Sequence, residues 1–136
     1  NGDMCEFQLD TQFDAVLCLF SSIAYTKTVE RMEQAVANMG GHVNPSGILL
    51  MERWITPESW LVGGFNTDTY ETDDGFVMRM AHYEPIERGR LVLEYMTGDS
   101  SVICHVTETH EMGWFTHDEY LEEGLTGRGI YIGTKP

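Results

Sequence analysis

Basic residues are scarce: eight Lys and Arg stand against 22 Asp and Glu, a formal charge of −14. No cationic cluster exists to neutralise phosphates or anionic headgroups, which argues against nucleic acid and membrane surfaces as partners. Long apolar runs are also lacking. None approaches the roughly 20 residues of a membrane helix, and Asn1-Gly2-Asp3-Met4 does not open a signal peptide, so a cytoplasmic protein is expected. Cysteine is sparse and odd in number. Cys5, Cys18 and Cys104 form neither a Cys-x-x-Cys pair nor a disulfide pattern, and reduced, mostly buried thiols are the expectation. The excess of acid reads as a solvated surface; it is compatible with a cationic or amine-bearing ligand but selects none.

What is present suffices for one folded unit. With 136 residues, 42% of them apolar, the chain can bury one real core but not two, so a single domain over 1–136 is predicted. It divides into three stretches: 1–53, 54–114 and 115–136.

Phe13 to Phe20 is a nearly continuous apolar run, the mark of a strand buried on both faces of a largely parallel sheet. It ends at Ser21-Ser22. After Thr26 or Thr28 as N-cap, Val29, Met32, Val36 and Met39 fall on one helical face, and Gly40-Gly41 supply the stop. Asn44-Pro45-Ser46-Gly47 makes a turn, and Ile48 to Glu52 reads as a second buried strand. Strand, helix and strand in that order imply a right-handed parallel crossover. Beyond an irregular stretch through Trp54, Pro57, Trp60 and Gly63-Gly64, the pattern shifts to shorter strands at Phe76–Tyr83, Leu91–Met96 and Val102–His110. Hairpin-like breaks at Pro85 to Gly89 and Gly98-Asp99 make these an antiparallel meander. Thr116-His117-Asp118-Glu119 has capping-box spacing and opens a short helix. Gly127-Arg128-Gly129 then turns into a final strand from Ile130. The fold class is α+β.

Cys104, His105, Glu108 and His110 form the most ligand-like cluster in the sequence. Strand alternation sends His105 and His110 to opposite faces, so no metal site is expected. His82 and His105 are candidate bases for removing a proton from a substrate ammonium, since imidazole titrates near neutral pH. The alternative is a pair of strand histidines facing solvent or a neighbour. No Gly-x-Ser-x-Gly turn or nucleophile with a partnered base is present.

Four stretches in order carry a family resemblance: Gly2-Asp3-Met4, Phe13-Asp14-Ala15-Val16 through Phe20-Ser21-Ser22-Ile23-Ala24-Tyr25, Pro45-Ser46-Gly47, and Thr126-Gly127-Arg128-Gly129-Ile130-Tyr131-Ile132-Gly133. Together they make the chain similar to the C-terminal part of the S-adenosylmethionine (SAM) dependent N,N-dimethyltransferases that act on amino groups of nucleotide-linked deoxysugars in antibiotic biosynthesis. The resemblance implies a remnant of a parallel α/β methyltransferase sheet carrying an antiparallel substrate layer, with SAM as cofactor. It implies that Asp3 and Met4 lie against adenine, the carboxylate accepting from the exocyclic amine, and that Phe20, Ser21 and Ser22 face the methionine portion. Without it, Asp3 reads as a turn residue and Ser21-Ser22 as a strand end. Trp54, Trp60 and Tyr70, with His82 and His105, are candidates for a sugar or nucleobase pocket, against the alternative that the aromatics pack in the core.

Two departures from the family pattern stand out. No strand with a glycine-rich turn precedes Asp3, and Gly124-Leu125-Thr126-Gly127-Arg128-Gly129 has the wrong context for one. The implication is a truncated methyltransferase-like protein that does not bind SAM as a monomer. Phrases that the family separates by a full helix and strand are also fused at Glu119-Tyr120, which implies an in-frame loss of about 15 to 20 residues and a helix too short to stand alone. An uncovered sheet edge tends to pair, so a homo-oligomer, including a strand-swapped dimer, is expected. Two other readings remain: a small-molecule or sugar-nucleotide binding module, stabilised by ligand without SAM, and an oligomer-forming protein without catalysis, with a closed pocket.

Overall fold

A computed structural model describes residues 1–54, 63–84 and 89–136. They group into two compact units, one within 1–59 and 113–136, the other within 60–112.

The first unit begins with β1 (Phe13–Cys18) and continues through a 3-10 turn at Ser22–Thr26 into α1 (Val29–Gly41) and β2 (Val43–Glu52). Thr28 is the N-cap, its hydroxyl accepting from the Arg31 amide, which satisfies a donor that has no partner within the helix. α1 buries Met32, Ala35, Val36 and Met39, the apolar face expected from the sequence. β1 and β2 pair in parallel, with Ala15 opposite Ile48 and Cys18 opposite Met51. After α2 (His117–Glu122), the hairpin of β7 (Thr126–Arg128) and β8 (Ile130–Thr134) returns antiparallel onto β2, giving the order β1-β2-β8-β7. Ile23, Met32, Met51 and Tyr131 are fully buried at the centre. The Tyr120 and Tyr131 rings stack at 4.5 Å, and His117 Nδ1 lies 2.6 Å from the Tyr131 hydroxyl.

The expected turn at Asn44–Gly47 does not precede β2 but lies inside it. Phe13 pairs with Val43 and Ala15 with Ile48, so residues 44–47 bulge opposite Asp14. Ser46 has φ 66°, and a Cβ at Gly47 would sit 2.8 Å from the Asp14 carbonyl, so the bulge needs its glycine. The C-terminal strand stitches it down, since Ser46 N donates to the Lys135 carbonyl and Lys135 N to that of Gly47.

The second unit is an antiparallel meander of β3 (Phe65–Thr72), β4 (Gly75–Glu84), β5 (Gly89–Gly98) and β6 (Ile103–Met112). β3 is absent from the sequence reading. Every one of its residues is exposed, so no apolar alternation marks it; backbone pairing to β4 and the Asp68–Arg79 ion pair across the strands hold it in place. At the β5–β6 turn, Asp99 Oδ1 accepts from Ser101 N, Ser101 Oγ and Val102 N.

Between Phe115 and Thr126 stand a six-residue helix and no strand. The helix carries the capping box foreseen at Thr116 and Glu119. Removing that hydroxyl with Thr116→Ala is expected to destabilise the fold by about 1 kcal/mol. Met32→Ala, which opens a cavity in the core, should cost about 2–5 kcal/mol. Urea denaturation of the two variants orders these losses, and equal losses would mean that α2 rather than α1 packing limits stability.

Candidate functional site

The carboxyl end of the β1–β2 pair is the rim where open parallel sheets bind ligands, and it gathers most of the cofactor residues foreseen from the sequence. Two concavities open there. One, of about 320 Å³, is lined by Gly2, Met4, Phe7, Val16, Leu17, Cys18, Leu19, Ser22 and Met39. The other, of about 210 Å³, is lined by Gly2, Asp3, Met4, Tyr25, Thr26 and Arg31. They share Gly2 and Met4; Ser22 lines the first and Asp3 the second, while Phe20 and Ser21 line neither.

Asp3 is held hard in place. Its Oδ1 accepts from Cys5 N at 2.9 Å and its Oδ2 from Arg31 Nη2 at 2.6 Å. The Cys5 amide first, and the Arg31 guanidinium after it, hold the carboxyl below its ordinary value. The turn reading of Asp3 is thus realised in the geometry. Asn38 Nδ2 donates to the Met4 carbonyl, fixing this segment to α1. Arg31 went unnoticed in the sequence; its one signal is that cations are rare in this chain.

Beyond β1 the backbone is strained. Phe20 and Ser21 have φ of 53° and 57°, left-handed values that cost a non-glycine residue about 1–3 kcal/mol each. β2 restrains both. The Phe20 amide donates to Glu52 Oε2 at 2.7 Å, and the Ser21 hydroxyl donates to the Arg53 carbonyl at 3.1 Å. Ser22 Oγ donates to the Leu19 carbonyl at 2.7 Å. The Phe20 side chain is 87% exposed, whereas Ser21 spends its hydroxyl hydrogen on Arg53 and Ser22 spends its own on the turn. Glu52 was read only as the end of a strand.

The foreseen substrate residues are dispersed. Trp54 follows β2 in the first unit, half-buried, and Trp60 lies outside the described residues. Tyr70, His82 and His105 belong to the meander. Cross-strand partners share a face, and the register Met78–Met96–His105 places His105 on the same face as His82, while Tyr70, opposite Val77, is on the other. His105 Nε2 lies 2.7 Å from Glu94 Oε2, which also accepts from Thr107 Oγ1. The Thr107 hydroxyl first, then His105, draw the Glu94 carboxyl below its usual value, against a burial effect that raises it. Among the described residues no three His, Cys, Asp or Glu side chains come together as a metal set.

No family model matches the chain. A dTDP-3-amino-3,4,6-trideoxy-alpha-D-glucopyranose N,N-dimethyltransferase of Streptomyces venezuelae is 31% identical over 97% of this chain and 62% of its own length. A dTDP-3-amino-3,6-dideoxy-alpha-D-glucopyranose N,N-dimethyltransferase of Streptomyces fradiae is 31% identical over 100% of this chain and 54% of its own. DesVI of Streptomyces venezuelae superposes with a TM-score of 0.90 at 29% identity, covering 99% of this chain and 64% of that one. Over the span it covers, the chain shares the fold of SAM-dependent methyltransferases and resembles the sugar N,N-dimethyltransferases. A SAM-bound amino pentose methyltransferase of Micromonospora echinaspora agrees, with a TM-score of 0.85 and 31% identity over 99% of this chain and 63% of that one. The chain thus spans roughly 54 to 64% of these relatives. The match to the Streptomyces venezuelae sequence runs over 149 positions, more than the 136 residues here, so that relative carries residues within the matched span that this chain lacks. Among the described residues no helix is long and apolar enough to cross a membrane.

The Asp3 geometry sets an acid limit. A carboxyl held low when folded contributes stability that is present above its ordinary value and lost as pH falls through the lowered one. Asp3→Asn is expected to be less stable than the parent chain from neutral pH down to about 4. Below that the difference closes, as thermal melts across pH will show; a constant difference would remove the ionised Asp3–Arg31 pair from the account.

Proposed function

We propose that this chain supplies the carboxyl-side rim of a SAM-dependent N-methyltransferase that acts on the amino group of a nucleotide-linked sugar. The supporting observation is the convergence of Asp3, Met4 and Ser22 on adjoining concavities at the end of a parallel strand pair, in a fold shared with a SAM-bound relative. In this reading SAM supplies an electrophilic methyl group. Methyl transfer by in-line displacement needs alignment and a deprotonated amine more than a strong base, and the exposed Phe20 ring offers an apolar surface for such alignment.

The rim is half of a site. β1 pairs with β2 and has no strand on its other edge among the described residues, and Phe13, Leu17 and Leu19 are exposed beside that edge. A strand-forming segment laid along β1, from further polypeptide or from a second copy, completes the sheet. We further place the residues lost relative to the Streptomyces venezuelae enzyme at Glu119-Tyr120, a reading that the single short helix at His117–Glu122 supports.

Calorimetric titration with SAM, run with the mass in solution, tests this. The expected result is no binding by the monomer and micromolar binding by the assembled form. Stabilisation by a sugar nucleotide with no SAM binding in any state would favour the binding-module reading instead.

A further inference from the structure

The strained pair Phe20-Ser21 has an unusual keeper. Its own turn is closed by Ser22 N and Ser22 Oγ on the Leu19 carbonyl, and two further restraints come from the end of the neighbouring strand, through the Glu52 carboxylate and the Arg53 carbonyl. Cys18 pairs with Met51, so the residues just beyond that last rung of the parallel pair face each other as a clamp. The restrained element buries almost nothing of its own, with Phe20 87% exposed. Packing of the phenyl ring therefore does not account for the left-handed backbone. A conformation that is costly, exposed and held by a neighbour's charged group marks a surface shaped for something else to sit on.

We infer that Glu52 is a positioning residue: by accepting the Phe20 amide it fixes Phe20-Ser21 left-handed and so presents the Phe20 ring at the rim. The inference rests on the SAM reading only for what occupies the rim, not for the clamp itself. Glu52 acts here by accepting a hydrogen bond. An acceptor without charge should therefore serve almost as well, and a side chain without an acceptor should not. If the clamp opens, the ligand-ready conformation becomes a minor one and apparent affinity falls by its population.

Glu52→Gln and Glu52→Leu separate the possibilities in two measurements. Amide hydrogen exchange without ligand should show Phe20 protected in the parent chain and in Glu52→Gln, and exchanging about tenfold faster in Glu52→Leu, as expected for losing a hydrogen bond to a charged acceptor. Unchanged protection in Glu52→Leu, with melting temperatures alike, overturns the clamp. In the SAM-binding form of the protein, Glu52→Leu should weaken SAM about tenfold while Glu52→Gln stays near the parent value. Equal weakening in both variants overturns positioning in favour of a direct charge contact. Absence of SAM binding in every form would sink the SAM reading, and the clamp then stands or falls on the exchange result.

Discussion

The parallel register between β1 and β2 is the constraint on which the rest of the first unit depends. Pairing Cys18 with Met51 brings the residues after both strands to one rim, and only then do Phe20 and Ser21 lie within reach of Glu52 and Arg53. The register is set from the other end by the bulge at 44–47, where Gly47 lets β2 close on the Asp14 carbonyl. α1 then lies on the pair with its buried methionines, and the segment around Met4 is tied to that helix by Asn38. A slip of one residue would turn the apolar set of β2 to the wrong face and pull the Glu52 carboxylate from the Phe20 amide.

This arrangement joins stability to the proposed function at particular atoms. The 3-10 turn and helix cap are ordinary devices that hold the chain in place, whereas the left-handed pair after β1 costs energy that nothing in the core recovers. Proteins keep such strain where a surface must have one shape. Asp3 follows a similar logic: its carboxylate is committed to Cys5 and Arg31, which fixes its orientation.

Much of the fold was legible in the sequence because burial writes itself as apolar pattern. The run from Phe13, the face of Val29, Met32, Val36 and Met39, and the Thr116–Glu119 box each predicted an element that formed, but the burial on both faces expected of the first strand is not found, since Phe13, Leu17 and Leu19 are exposed. β3 was illegible for the converse reason: a strand exposed on both faces leaves no apolar trace, and its pairing is carried by the backbone. The turn at Asn44–Gly47 was recognised by its residues, but they cannot say whether a turn lies before a strand or bulges within it. The resemblance pointed to Asp3, Met4 and Phe20 to Ser22 as candidates; Arg31 and Glu52, distant in sequence and unremarkable in type, emerged only once the strands were paired.

The account turns on the rim at the end of β1 and β2 being the surface that meets SAM. Amide chemical-shift mapping of the isotope-labelled protein in its assembled form, on addition of SAM, tests this most directly. The account predicts shifts concentrated at Met4, Phe20 to Ser22, and Glu52-Arg53. Shifts confined to the meander, or saturation with the Phe20 and Ser21 amides unmoved, would contradict it.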